Sequence, residues 1–230
     1  VGSEMCIRDS PCTFDNMSAT LLGDTLYVLG GYRNGIPSCS MFSFCLSNYS
    51  GGWTEVFFPG KPRVQPVCAS LFGNLYIWGG FIPGKESSVL TDGLCYQPAS
   101  GQWQVLRAPL TTEGQPLTLT GGASVSYGDT LVICAGGVNR DIFEDAISGR
   151  YKKVCESEYL LQPVEWYHFN DQLLAYDVRL GEWIRIGTPS PMLARAGASL
   201  VLFGEALFYI GGELKPGVRT SDICRISFQE

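Results

Sequence analysis

A repeated segment restricts the possible folds of this chain more than any other feature. Four stretches of small and apolar residues each contain a turn and end in a glycine pair: "MSATLLGDTLYVLGG", "VCASLFGNLYIWGG", "GASVSYGDTLVICAGG" and "GASLVLFGEALFYIGG". The turn is Gly-Asp or Gly-Asn in the first three, which is typical of a tight β-hairpin, and it is weaker at residues 204–205. Each stretch therefore predicts two antiparallel strands, and the chain predicts four copies of one unit.

A third strand, a further turn and usually a tryptophan follow each predicted hairpin. "LCYQPASGQW" ends at Trp103, "LAYDVRLGEW" ends at Trp183, and the looser "FSFCLSNYSGGW" ends at Trp53. A four-stranded unit of about fifty residues is one blade of a β-propeller. Gly-Gly followed by spaced Tyr and Trp resembles the kelch motif, and the resemblance covers residues 17–228. The fold class expected is therefore all-β, a kelch-type propeller.

About four to five blades fit into the chain, whereas the kelch resemblance implies closure with six or seven. We therefore expect residues 11–230 to be part of a six-bladed propeller whose other blades precede Pro11. An open arc would expose sheet faces, so the intact protein is expected to be longer or paired. Residues 1–10, "VGSEMCIRDS", resemble the translated read-through of a sequencing adapter and are set aside. The lack of a visible signal peptide then says nothing about location.

Composition argues against several classes of protein. The net charge is −6 and no Lys/Arg cluster is present, so no nucleic-acid partner is expected. No run of eighteen apolar residues occurs, so no membrane partner is expected either. His168 is the only histidine, which prevents a two-histidine metal site. The nine cysteines form no Cys-x-x-Cys pair, and most are interpreted as small buried hydrophobic residues.

The residue after each glycine pair differs in one repeat. Tyr32, Phe81 and Val138 are apolar or aromatic, whereas Glu213 is charged. The loops after the glycine pairs of a propeller all lie on one face around the central channel. A carboxylate half-buried there costs on the order of several kcal/mol unless it is paired, which suggests a functional role. The alternative is a structural ion pair with Arg219, and the pattern alone favours neither.

The block "GGELKPGVRT", preceded by "ARAGASLV", adds a closer resemblance. It resembles the kelch-type N-acetylneuraminate epimerases, the sialic acid mutarotases, and "GGVNRDIF" and "EWYHFNDQLLAYD" resemble their cyclically permuted branch. The resemblance implies an isomerase that interconverts the anomers of sialic acid or a related acidic sugar. It matches Glu213 and Arg219 to the family's catalytic pair. It also implies export to the periplasm or secretion, as is usual for the bacterial members.

The chemistry of mutarotation suits these two side chains. A half-buried carboxylate such as Glu213 can exchange a proton with the anomeric hydroxyl near neutral pH. The planar fork of Arg219 suits the carboxylate of the sugar. No metal or organic cofactor is needed, and the expected partner is a small sugar, with the oligomeric state left open.

Four further residues are candidates for substrate binding, each with a structural alternative. Arg195 either reaches the channel or ties strand ends together, and His168 either lines the channel or is structural. Asn139 and Arg140 follow the third glycine pair and contact the sugar or form a solvated loop. They begin an insertion, residues 138–170, that mixes charges with aromatic residues and is interpreted as a lid over the face that carries Glu213.

Two other classes of function compete with the isomerase. One is a non-catalytic kelch module that binds a protein or a carbohydrate, against which the spacing of Glu213 and Arg219 argues. The other is a different propeller enzyme. A copper radical oxidase needs more than one histidine, and a sialidase would show repeated Ser-x-Asp-x-Gly-x-Thr-Trp boxes, of which none occurs.

Overall fold

A computed structural model describes residues 10–84 and 86–228, so most of the segment set aside above lies outside the described residues. Each of the first two repeats forms a four-stranded sheet, and additional short strands lie in the loops and in the entering segment. A 3₁₀ helix (Tyr49–Gly51) lies between β6 and β7. The strands are β1 (Phe14–Asp15), β2 (Ser18–Leu22), β3 (Thr25–Leu29), β4 (Tyr32–Arg33), β5 (Ile36–Pro37), β6 (Met41–Cys45), β7 (Trp53–Val56), β8 (Val67–Leu71), β9 (Asn74–Trp78), β10 (Phe81–Ile82), β11 (Ser88–Val89), β12 (Gly93–Gln97) and β13 (Gln102–Leu106).

The third and fourth repeats contain the remaining strands and the helices. The third repeat carries two α-helices and a 3₁₀ helix between its second and third strands. The elements are β14 (Ala123–Tyr127), β15 (Leu131–Ala135), α1 (Arg140–Ile147), α2 (Glu156–Tyr159), a 3₁₀ helix (Val164–Tyr167), β16 (Leu173–Asp177), β17 (Glu182–Ile186), a 3₁₀ helix (Pro191–Leu193), β18 (Ser199–Phe203), β19 (Ala206–Ile210), β20 (Glu213–Lys215), β21 (Val218–Arg219) and β22 (Ile223–Ser227).

Four antiparallel sheets stand side by side as blades. Their strand orders are β2-β3-β6-β7, β8-β9-β12-β13, β14-β15-β16-β17 and β18-β19-β22. The first strands contact one another in sequence, β2 with β8, β8 with β14 and β14 with β18, so they lie nearest the common axis. The predicted all-β propeller is confirmed. The described residues form four blades, the lower end of the predicted four to five, and the fourth has three strands.

The glycine pairs are required where one blade meets the chain that enters the next. A Cβ added to Gly136 would lie 2.3 Å from the carbonyl oxygen of Arg195 and 2.1 Å from the hydroxyl of Tyr209. A Cβ on Gly30 would lie 2.4 Å from the carbonyl oxygen of Arg63. Both glycines also have positive φ angles, 69° and 67°. The backbone therefore passes close to neighbouring atoms at the end of the second strand.

The core lies between the blades rather than at the centre of the molecule. Leu29, Leu75 and Ile77 pack between the first two blades, and apolar clusters of the same kind lie between the second and third and between the third and fourth. The predicted tryptophans join neighbouring blades: Nε1 of Trp103 donates to the carbonyl of Phe57. Nε1 of Trp183 makes the equivalent bond to the carbonyl of Arg107. Burial of apolar surface between sheets thus fixes the position of each blade on its neighbour.

The insertion, residues 138–170, packs around a small core of its own. Ile142, Tyr159 and Tyr167 are its buried members. Asn139 caps the N-terminus of α1, because its side-chain oxygen accepts hydrogen bonds from the backbone N–H groups of Asp141 and Ile142. Within the part of the chain that the structure describes, no helix is long and apolar enough to cross a membrane.

The cysteines are only partly the buried hydrophobic residues expected. Cys95 and Cys134 are buried, and burial raises the pKa of the Cys95 thiol to about 11. Cys39 and Cys155 are exposed, so the expectation is wrong for these two, which lie in loops and not in a strand between blades.

Candidate active site

The four residues that follow the glycine pairs occupy equivalent positions. Each pairs through its backbone with the segment that enters its own blade, and two of these pairs are isolated β-bridges, Val64 with Phe81 and Ala196 with Glu213. The N–H of Glu213 donates to the carbonyl of Ala196 at 2.7 Å, and the reverse bond is 3.0 Å. Phe81, Val138 and Glu213 line one cavity of about 570 Å³. The loops therefore gather on one face, and the charged residue stands in an otherwise apolar position.

A short hairpin holds Glu213 and Arg219 side by side. β20 and β21 are antiparallel, and the two residues are direct cross-strand partners. Nε of Arg219 lies 3.3 Å from Oε1 of Glu213. Pro216 and Gly217, with φ of 78° at the glycine, form the turn between them, a sequence typical of a type II turn. The "KPG" of the block thus brings together two residues that are six apart in sequence.

The exposure of the pair decides what it can do. The Glu213 side chain is 33% exposed and the Arg219 side chain is 83% exposed. An ion pair this open contributes about 0–1 kcal/mol to stability, so fold stabilisation is a weak explanation for the charge. Most of the guanidinium N–H groups remain free to contact a ligand, since only Nε is bonded to Glu213 among the described residues. Both side chains line the 570 Å³ cavity.

The insertion supplies the aromatic wall of the same cavity. Its lining residues from this segment are Ile142, Phe143, Tyr159, Tyr167 and Phe169. Burial raises the pKa of Tyr159 to about 12, so its hydroxyl stays protonated at neutral pH. The Tyr167 hydroxyl donates to the backbone carbonyl of Tyr159 and holds this wall together. The insertion therefore borders the cavity of Glu213, and its action as a lid stays a prediction.

Lys215, the remaining charge of the block, ties the insertion to the hairpin. Its Nζ donates to the backbone carbonyl of Leu160 at 3.0 Å and to that of Gln162 at 2.7 Å. These carbonyls follow α2, where a helix end leaves acceptors without intrahelical partners. Lys215 therefore positions the aromatic wall and lies outside the set of residues that line the cavity.

Of the four further candidates, only Asn139 lines the cavity that contains Glu213. Its side-chain oxygen is engaged in capping α1. Arg140 pairs with Asp141 at 3.0 Å and, with His168, lines a second cavity of about 460 Å³. Neither Arg140 nor His168 lines the cavity of the Glu213–Arg219 pair.

Arg195 is buried and does not line the cavity that contains Glu213. Its side chain is 1% exposed, and Nη1 donates to the carbonyls of Gly211 and Asp222. Arg63 is in the same position in the second blade, with Nη1 donating to the carbonyl of Gly79 and Nη2 bonded to Asp92. This repetition favours the structural alternative, an arginine that ties strand ends together.

Two carboxamide residues of the cavity were missed by reasoning from the sequence. Asn16 and Gln65 precede the first strands of their blades, in the positions that Gly121 and Gly197 occupy later, and all four have positive φ angles. Backbone hydrogen bonds join the four residues around the axis. The N–H of Gln65 donates to the carbonyl of Asn16 (2.9 Å), that of Gly121 to the carbonyl of Gln65 (3.0 Å), and that of Gly197 to the carbonyl of Gly121 (2.7 Å). The sequence did contain a signal for them: when the repeats are aligned, Asn16 and Gln65 fall at the position of Gly121 and Gly197, two residues before a predicted strand.

Fold and site together define a kelch-type β-propeller with a carboxylate–guanidinium pair on its axial face. A sequence model of N-acetylneuraminate epimerase matches residues 8–230, and the chain belongs to this family. The N-acetylneuraminate epimerase of Haemophilus influenzae (strain 86-028NP) is 32% identical over 225 residues, covering 93% of this chain and 57% of the relative. That of Yersinia enterocolitica is 31% identical over 230 residues, covering 94% and 56%.

A structural comparison agrees with the sequence comparisons. The structure of YjhT superposes with a TM-score of 0.79 at 27% identity, covering 95% of this chain and 64% of that chain. This chain therefore spans little more than half of the curated relatives that it matches. The family predicted from the "GGELKPGVRT" block is confirmed, whereas assignment to the cyclically permuted branch stays a prediction.

Proposed function

We propose that the protein interconverts the anomers of N-acetylneuraminate or a related acidic sugar, with Glu213 as the proton-transfer group and Arg219 as the carboxylate-binding group. The observation that carries the proposal is the placement of Glu213. It occupies a position that is apolar in two other blades, lines the 570 Å³ cavity and has Arg219 beside it. The names of the relatives support N-acetylneuraminate as the sugar.

The reaction needs one proton-transfer group and a firm hold on the sugar. Glu213 takes the proton of the anomeric hydroxyl as the ring C–O bond breaks, and its carboxyl group then gives that proton to the ring oxygen. Rotation of the open-chain ketone and reclosure on the other face complete the exchange, with no net change of atoms. A positioned acid–base group gives roughly 10²–10⁴-fold acceleration, which is sufficient for a reaction that already proceeds in water.

Arg219 fixes the sugar for this transfer. Its free N–H groups suit a bidentate contact with the sugar carboxylate, and that contact would place the anomeric carbon, which bears the carboxylate, next to Glu213. The aromatic wall of the insertion excludes water from the bound sugar, which strengthens both polar contacts.

Anomer exchange measured by NMR on the full-length protein tests the proposal. Glu213→Gln keeps the shape and hydrogen-bonding capacity of the side chain, so exchange should fall to the uncatalysed rate while the protein stays folded. Arg219→Lys keeps the charge and loses the fork, so it should weaken sugar binding more than it slows the bound reaction. Glu205→Gln is the matched control, since Glu205 is exposed in the β18–β19 turn of the same blade.

Three outcomes decide between the alternatives. Exchange by Glu213→Gln at the unsubstituted rate would make the carboxylate structural. Inactivity caused by unfolding would favour the structural ion pair. Sugar binding without accelerated exchange in the unsubstituted protein would favour the non-catalytic carbohydrate-binding module.

A further inference from the structure

A relay of hydrogen bonds fixes the orientation of two side-chain amides at the cavity. Asn16 Nδ2 donates to Oδ1 of Asp15 at 3.0 Å, and Gln65 Nε2 donates to Oδ1 of Asn16 at 2.9 Å. An ionised carboxylate only accepts hydrogen bonds, so Asn16 must present its NH₂ group to Asp15. The carbonyl oxygen of Asn16 then faces Gln65, which must present its own NH₂ group in turn. This order leaves Oε1 of Gln65 as the free end of the relay, an acceptor.

The backbone holds this acceptor rigidly. Gln65 has a φ of 52°, in the left-handed region, and both its N–H and its carbonyl are bonded to the neighbouring blade entries at Asn16 and Gly121. Holding a non-glycine residue there costs on the order of 1 kcal/mol or more, and such conformations are concentrated at functional sites. Asn16 shares the conformation, with a φ of 53°. Both residues line the cavity of Glu213 and Arg219.

An apolar surface adjoins the acceptor. Val64, the residue before Gln65, is bridged to Phe81, and the ring of Phe81 meets that of Phe143 edge-on at 5.0 Å between centroids. Both rings line the same cavity. Gln65 and Phe81 of the second blade and Phe143 of the insertion therefore bring one hydrogen-bond acceptor and a pair of aromatic rings to the same cavity.

We infer that Gln65 is a specificity-determining residue that selects N-acylated acidic sugars. Its Oε1 accepts the N–H of the acylamino group, and the acyl methyl packs on Phe81 and Phe143. An acetamido group carries a donor nitrogen and an apolar methyl two bonds apart, whereas a hydroxyl at the same carbon supplies a donor without the methyl. The inference rests on the proposed function in one respect, that the sugar occupies this cavity.

The contact would lie away from the reacting centre. Gln65 is two backbone hydrogen-bond steps around the axis from Gly197, whose neighbour Ala196 pairs with Glu213. A sugar with its anomeric carbon at Glu213 would therefore present a substituent from elsewhere on the ring to Gln65. Loss of the Gln65 contact is expected to change affinity and leave the exchange rate of the bound sugar largely intact.

The test compares three sugars by calorimetry on the full-length protein. The probes are N-acetylneuraminate, the analogue with hydroxyl in place of the acetamido group, and the analogue with hydrogen there. Gln65→Leu removes the acceptor at similar volume and should weaken binding of N-acetylneuraminate by about tenfold or more, because the amide N–H loses its partner. The hydrogen analogue should bind Gln65→Leu and the unsubstituted protein equally. Gln104→Leu, at an exposed position on β13, is the matched control.

Further variants and readouts keep the inference separate from the proposed function. Asn16→Leu removes the partner that orients Gln65, so it should lower the preference for N-acetylneuraminate over the hydrogen analogue even if Gln65→Leu fails to fold. Equal weakening of all three sugars, or no change for any, would overturn the inference while accelerated anomer exchange still supported the proposed function. Acetamido-selective binding that depends on Gln65, without exchange, would support the inference and reject the proposed function.

Discussion

Replacement of Lys215 by methionine tests how the insertion is held over the cavity. Methionine keeps an unbranched stem of similar reach and removes the ammonium group. The carbonyls of Leu160 and Gln162 then lose a donor at 3.0 Å and 2.7 Å. Hydrogen bonds to a charged group contribute about 1.5–3 kcal/mol each when sheltered. Since these two are partly open to solvent, we take about 1.5–3 kcal/mol for both together.

That loss has a measurable size. Because every 1.4 kcal/mol is a factor of ten, about 1.5–3 kcal/mol corresponds to a roughly ten- to hundredfold rise in the population with the insertion undocked. Hydrogen exchange followed by mass spectrometry should show this rise in residues 138–170, most clearly in α1, with no change in β15 and β16. Sugar affinity should fall with it, because the aromatic wall is less often in place.

The control and the refuting results are specific. Lys152→Met removes an exposed lysine from the same insertion and should leave exchange unchanged. Unaltered protection of α1 in Lys215→Met would show that the two hydrogen bonds do not hold the insertion. Faster exchange throughout the blades would instead make Lys215 part of the general stability of the fold.

Three other perturbations have expected outcomes. Replacing residues 140–167 with a short Gly/Ser linker should weaken sugar binding and leave the blades folded, because the insertion has its own core; loss of the fold would show that the blades depend on it. Gly136→Ala should lower the midpoint of thermal unfolding more than the control Gly128→Ala. Both glycines have positive φ angles, but only a Cβ at Gly136 would meet atoms of Tyr209 and Arg195. Equal effects of the two substitutions would show that close approach does not require glycine at Gly136. Burial raises the pKa of Tyr159 from 10.0 to about 12, so the folded state holds the phenol proton more tightly and stability is lost as pH rises from about 10 to 12. The free energy of unfolding, measured in urea at several pH values, should lack this part of the loss in Tyr159→Phe.

The repeats made the fold and the position of Glu213 predictable. A strand–turn–strand unit that ends in Gly-Gly places the next residue at one register in every blade, so a charge at Glu213 stands out against Phe81 and Val138. Its partner was also predictable, because "KPG" is a turn sequence and a turn brings Glu213 and Arg219 together. Both conclusions depend only on local backbone geometry, which a sequence pattern encodes well.

The direction of individual side chains was harder to predict. Arg195 is close to the axis in sequence register, but its guanidinium turns into the blade, where the carbonyls of Gly211 and Asp222 accept from it. Arg63 in "KPRVQP" aligns with it and could have indicated a structural repeat. The aromatic wall and the Asn16–Gln65 pair arise where separate blades and the insertion meet. The residue periodicity of a single segment carries no information on contacts between separate segments.

The structural alternative for Glu213, an ion pair kept for stability, makes a prediction that can be compared with the exposure of the pair. A glutamate kept for an ion pair should lose stability when the pair is removed, and a buried pair loses about 3–5 kcal/mol. Here the arginine is 83% exposed and the glutamate 33% exposed, so removal of the charge should cost about 0–1 kcal/mol. The thermal midpoint of Glu213→Gln is therefore expected to hold or rise, since a charge leaves a position lined by Phe81 and Val138. A carboxylate that contributes so little to the fold, in a cavity where most of the Arg219 N–H groups are open to a ligand, supports the proposal that Glu213 acts on a sugar.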